Sequence, residues 1–225
     1  MPQPNMYTAI HKGVRNLLFA ASLSAGRADW NDEADLASLE QQVAHLLHVL
    51  RLHVRNEETY AHPILADRLV GVHKGLEAAH REQEGILDDL EAFFHRAQAA
   101  DPAMRPQFGL EVYRVLNRFI GLYLPHLDDE ESRVMLMINE TFAPEEVMAV
   151  HHQILRAQTE DDLLDDVDMM FPAMTVGEVV ELLAGGPSWM SPALMEKAGH
   201  RAERAMGPDR WGQVMARMGA GVGAR

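Results

Sequence analysis

The sequence predicts an all-α fold, on three observations. Ala, Leu, Glu, Arg and Met recur at intervals of three and four, the helical period. Alternating β-branched and aromatic stretches are nearly absent. Helix-stopping residues fall between the periodic segments, at Gly26, Pro63, the VGVHKG segment and Asp101-Pro102.

The elements follow in order. A first helix is expected from Thr8, as N-cap, to Ser24, stopping at Gly26. Asp32 is a good N-cap for a second, whose apolar stripe is Leu36, Leu39, Val43, Leu46, Leu47 and Leu50. Pro63 should kink or end that helix, and VGVHKG should form the turn before a third, LEAAHREQEGILDDLEAFF. A fourth is expected from Arg105 to Glu140, kinked at Pro125, with Leu110, Val115, Leu116, Phe119 and Leu122 facing inward. Four long antiparallel helices with short connections describe an up-down-up-down bundle.

Beyond Thr141 the pattern shortens. Pro144 opens a fifth helix, and Thr175 with Glu178 forms a capping box for a short helix ended by Gly185-Gly186. Two further short helices and a disordered Gly/Ala tail are expected. Eleven of the fourteen methionines lie beyond position 130, where they suit irregular packing between short helices better than a copper site. The expected division is a bundle at 1–141 and a helical extension at 142–225, a lid or a dimerisation element.

Composition excludes several function classes. A formal charge of −14 argues against nucleic acid and anionic lipid, which require a basic face. No apolar run approaches the roughly 18–20 residues that span a bilayer. Lys12 and Arg15 precede LLFAASLSA in the manner of a signal peptide, but serines break the apolar core, so a cytoplasmic protein is expected. With no cysteine, any metal must be held by nitrogen and oxygen.

Histidine carries the chemical signal. Glu makes up 19 of 225 residues, so about one of the twelve histidines should have Glu four residues later; four do, at His53/Glu57, His73/Glu77, His80/Glu84 and His126/Glu130. Residues i and i+4 share a helix face, so each pair can converge on one point. An exposed electrostatic pair is the plain alternative, but placement favours ligation. His11, His53/Glu57, His80/Glu84 and His126/Glu130 fall on four successive helices, so each helix offers a ligand. Imidazoles with carboxylates suit iron or manganese better than magnesium or calcium, and two shared carboxylates would hold two metals about 3.5–4 Å apart. His62, His95 and His200 are expected at the surface. Tyr7, Tyr60 and Tyr123 lie near ligand positions in the sequence, with packing as their first use.

The order of these residues, most telling in HVRNEETYAHPIL, AHREQEGILDDL and LPHLDDEE, resembles the hemerythrin-like (HHE cation-binding) family over residues 8–140. The resemblance implies two iron ions in a non-haem, oxo- or hydroxo-bridged di-iron centre, with manganese as the other metal. His11, His53, His80 and His126 would be terminal ligands, and Glu57 and Glu130 the bridges. Glu84 would be an extra ligand or a group orienting an imidazole, and Glu58 a ligand in some relatives. His73 competes with His80 for the register of the third helix, and AHREQEGILDDL favours His80. Oxygen carriers of the family have Asp at i+5 after the last His, where this chain has Glu130 at i+4. It is therefore more similar to the regulatory and repair-type relatives. The function implied is binding or redox handling of dioxygen, peroxide or nitric oxide, for sensing, detoxification or iron handling. A di-iron enzyme, such as a catalase-like peroxidase or an oxygenase, is the alternative, and a metal-free helical interaction protein the further one.

Overall fold

A computed structural model describes residues 5–185 and 190–222. Every regular element among them is helical: α1 (Thr8–Arg27), α2 (Glu33–Asn56), α3 (His62–Arg68), α4 (Val70–Ala99), α5 (Arg105–Asp129), α6 (Met135–Thr141), α7 (Pro144–Ala157), α8 (Glu160–Met170), α9 (Val176–Gly185), α10 (Pro192–Met206) and α11 (Pro208–Val222). A 3-10 turn, Phe171–Ala173, follows α8, and two π turns, Glu57–Ala61 and Glu130–Val134, join α2 to α3 and α5 to α6. None of the described helices is long and apolar enough to cross a membrane. Gly186, expected to help stop α9, and the last three residues lie outside the described residues, but the Gly/Ala tail expected to be disordered is helical as far as Val222, at the end of α11.

The chain divides into two compact units. One takes in Leu17–Val150 with the residues up to Tyr7; the other takes in Thr8–Asn16 and the chain from His151 onward.

In the first unit α4 and α5 pack along one another, and α2 packs on α4. Asp32 caps α2, its carboxylate accepting from Ala34 N at 2.9 Å and Asp35 N at 3.0 Å, and Glu33 and Asp35 add negative charge at the positive end of the helix dipole. The whole stripe from Leu36 to Leu50 is buried. Trp30, in the loop before α2, lies edge-on to Phe94, with ring centroids 5.9 Å apart. Its indole crosses so close to Gly109 on α5 that a Cβ there would overlap the ring. Beyond the ligand region, Tyr7, Leu65, Val72, Leu76, Val134, Met135, Ile138, Phe142 and Val147 make one apolar cluster. Arg68 seals it, stacking 4.7 Å above Phe142 and pairing with Glu146 at 2.8 Å.

Three local expectations are corrected. VGVHKG is not a turn: the helix breaks one residue earlier, at Leu69 (φ −128°, ψ 50°), and Gly71 and Gly75 are helical, with packing outweighing their poor propensity. Pro63 neither kinks nor ends the second helix. It occupies the first turn of α3, where no hydrogen-bond donor is needed, and the interruption is the π turn before it. Leu110 and Leu122 are exposed, because the buried stripe of α5 runs through Val112, Val115, Leu116, Phe119, Ile120, Tyr123 and Leu127.

In the second unit α8 packs on α10, and α9 on α11. The α8 acids face the basic side of α10: Arg201 reaches Asp165 at 2.7 Å and Asp168 at 3.2 Å, and Lys197 reaches Glu160 at 3.3 Å. The capping box of α9 forms as expected, with Thr175 N donating to Glu178 at 2.7 Å and Glu178 N to Thr175 Oγ1 at 3.3 Å. Gly207, at φ +80°, turns the chain from α10 into α11. Met169, Met170, Met174 and Met206 are buried as core residues.

Candidate metal centre

The site is built around the two π turns. Each begins on the carboxylate of a His-x-x-x-Glu pair: Glu57 four residues after His53, and Glu130 four residues after His126. In each, the carbonyl of that Glu accepts from the amide five residues on, His62 N in one case and Met135 N in the other. Such single-turn bulges insert one residue into the helix and occur often at functional sites. Here they let helices that begin by presenting His53 and His126 inward carry on with a shifted face.

Glu57 and Glu130 are 4% and 0% exposed, among the least accessible carboxylates in the chain. Imidazoles surround them. His53 Nε2 lies 3.3 Å from Glu57 Oε1, and His80 Nε2 lies 3.4 Å from Glu57 Oε2. His126 Nε2 lies 3.3 Å from Glu130 Oε1, and His80 Nε2 lies 3.9 Å from that same oxygen. His80 therefore stands between the two carboxylates. His11, His53, Glu57 and Glu130 form one group whose ligand atoms all lie within 4.8 Å of one another, and Glu57, His80, His126 and Glu130 form a second. The two groups share Glu57 and Glu130, as two neighbouring metal positions with common bridges would.

The electrostatics fit a cation. Burial raises the Glu130 carboxyl well above its ordinary range, and Glu57 beside it raises it further. Burial by itself lowers His80, but contacts with Glu57 and Glu58 outweigh it, and its pKa is raised. Two carboxylates kept from water at this separation are costly together, and a divalent cation between them would offset that cost. The donors are imidazole nitrogen and carboxylate oxygen, the set that suits iron or manganese.

The remaining sequence candidates are placed as follows. Glu84 stands apart from both groups: it accepts from Arg51 Nε at 3.1 Å, in a surface network with Asp88 and Glu91. Glu58 approaches the centre from outside, its Oε1 lying 3.3 Å from His80 Nδ1, where a carboxylate fixes the tautomer and orientation of a ligand imidazole. His73 is absent from both groups and pairs with Glu77 at 3.6 Å. Tyr7 and Tyr123 are buried beside the carboxylates; burial first, and then Glu130 and Glu57, push both phenols up. Tyr60 is half-buried in the first π turn.

His62 is the residue that sequence reasoning misplaced. His95 and His200 are exposed, as expected, but His62 is 2% exposed and stacks on His80, with centroids 5.1 Å apart and planes at 14°. Burial, and then His80, lower its pKa to about 4, so it is neutral at pH 7. Nine residues after His53, an unbroken helix would turn it about 180° from that face; the residue inserted by the π turn brings it back by about 100°. A π turn has no residue signature, so the sequence offered no sign of this.

No curated protein matches the chain. The family model described as Hemerythrin HHE cation binding domain matches residues 5–138, more than half of the chain, and spans all four His-x-x-x-Glu pairs and both groups of ligands. The chain belongs to the hemerythrin HHE cation-binding domain family.

Proposed function

We propose that the chain is a non-haem di-iron protein that binds or redox-handles a small species, dioxygen, peroxide or nitric oxide, for sensing, detoxification or iron handling. The observation that carries this reading is the buried Glu57–Glu130 pair shared by two groups of imidazoles. The pairing of α4 with α5 and of α2 with α4 supports reading the helices around it as an up-down-up-down bundle.

His11 and His53 would hold one metal position, His80 and His126 the other, with Glu57 and Glu130 bridging. When bound, an iron pair supplies Lewis acidity and one- or two-electron redox chemistry. The chain's own residues do the rest. Glu58 holds His80 Nδ1 so that Nε2 faces the carboxylates, and Tyr123 sets its ring 5.7 Å from that of His126, backed by Phe119 at 5.0 Å. Glu130 at i+4 after His126 supports placing the chain with the regulatory and repair-type members rather than the carriers.

The test is to reconstitute metal-free protein with ferrous iron without oxygen, then add peroxide or oxygen. About two iron ions per chain are expected, followed by a single stoichiometric oxidation. Sustained oxygen evolution or product formation would move the protein into the enzyme class, and no iron uptake would overturn the reading.

A further inference from the structure

Three imidazoles run in contact from the surface of the first unit to the centre. His73 is 20% exposed at its side chain and pairs with Glu77, 41% exposed. The His73 ring meets that of His62 edge-on at 5.5 Å, and His62 stacks on His80 at 5.1 Å. Both nitrogens of His62 are buried with no hydrogen-bond partner among the described residues.

A buried imidazole with neither nitrogen satisfied is destabilising, because each polar atom taken from water is left without a partner. The fold does not require it there. Met135 holds the same position in the other half of the site, nine residues after His126 as His62 is nine after His53, and it packs in the apolar cluster. An apolar side chain therefore satisfies this register, and the imidazole needs another reason. Its nitrogens are ligand atoms in want of a partner, between a half-exposed His/Glu pair and a buried ligand.

We propose that Glu77, His73 and His62 form the uptake route by which a divalent metal ion reaches the centre, Glu77 and His73 capturing the ion and His62 passing it to His80. This rests on the metal-centre reading. Glu77 is the exposed carboxylate that raises the local concentration of a cation. At each transfer one imidazole nitrogen replaces another, or a water, in the ion's shell, with no change of oxidation state. Glu58, 47% exposed and 3.3 Å from His80 Nδ1, adds a second carboxylate at the inner end.

The experiment is stopped-flow uptake of cobalt(II) by metal-free full-length protein, followed by visible absorption, with final stoichiometry and Kd measured separately. The double variant His73→Asn/Glu77→Gln changes only half-exposed positions and should fold normally. It and His62→Leu are each expected to slow uptake by about tenfold or more, leaving stoichiometry and Kd as in the wild type. His95→Asn, exposed elsewhere on α4, should leave the rate alone. Unchanged rates in both variants would overturn the route. So would a lower final stoichiometry in His62→Leu, since His62 would then hold metal at rest. If wild-type protein takes up no cobalt and no iron, the centre itself fails, and the route with it.

Discussion

The two halves of the site are built alike and finished differently. HVRNEETYAH and HLDDEESRVM place His, Glu and a second Glu at the same spacing, and each runs into a π turn that starts on the first Glu. They part where His62 follows in the register that Met135 occupies in the other half. The matched positions include those that can hold metal in both halves. The unmatched one gives the first half a buried imidazole and the second an apolar side chain.

The largest expected effect breaks the symmetry at its strongest point. Glu57→Ala and Glu130→Ala should each remove at least one metal ion, to a similar extent, as measured by elemental analysis after reconstitution. Both should lower the melting temperature of the loaded protein, because binding free energy is folding free energy at such a site. A large loss in one variant with none in the other would mean that the halves do not share the centre.

The next separates His62 from Met135. Met135→Ala opens a cavity in the apolar cluster and should cost about 2–5 kcal/mol in denaturant unfolding. His62→Leu removes two unsatisfied nitrogens and should leave metal-free protein equally or more stable. Equal losses in both would show that His62 is needed for packing.

Acid and base act on the shared carboxylates. The folded-state pKa of Glu130 is raised, so in metal-free protein its contribution is fully present below the unfolded-state value and is lost as pH rises through the folded-state one. Bound metal removes that loss. The gain in melting temperature on loading should therefore grow as pH rises from the ordinary glutamate range, and loading should release protons. A gain independent of pH would contradict the upward shift of the buried Glu130 carboxyl.

The smallest effect tests the carboxylate beside His80. Glu58→Gln should weaken metal affinity by about 10- to 100-fold through the orientation of His80, as measured by competition with a chelator. An unchanged affinity would mean that Glu58 does not orient that imidazole.

Much of this was legible in the sequence. Asp32 and Thr175/Glu178 announce helix starts because a side chain must satisfy amides that a helix leaves open, and those residues can do so. The stripe from Leu36 to Leu50 is a plain 3.6-residue pattern. His53/Glu57 and His126/Glu130 could be named because i, i+4 spacing fixes a shared face, and His11 and His80 because they fall on the other two helices in the order that the family resemblance implies; the structure brings these six together in two groups. What stayed hidden depends on breaks in that period. The π turns reset the face for His62, so it could not be placed from an ideal helix. Gly71 and Gly75 read as a turn because their cost in a helix is offset by packing that local sequence does not display. Glu84 shares a face with His80 by spacing, yet Arg51 from α2 takes its carboxylate, a contact set by tertiary structure.

The most direct measurement is anomalous diffraction at the iron edge from crystals of iron-loaded protein. Two peaks about 3.5–4 Å apart are expected, both within bonding distance of Glu57 and Glu130, one beside His11 and His53 and the other beside His80 and His126. Iron absent from that position, or held by other residues, would contradict the di-iron centre.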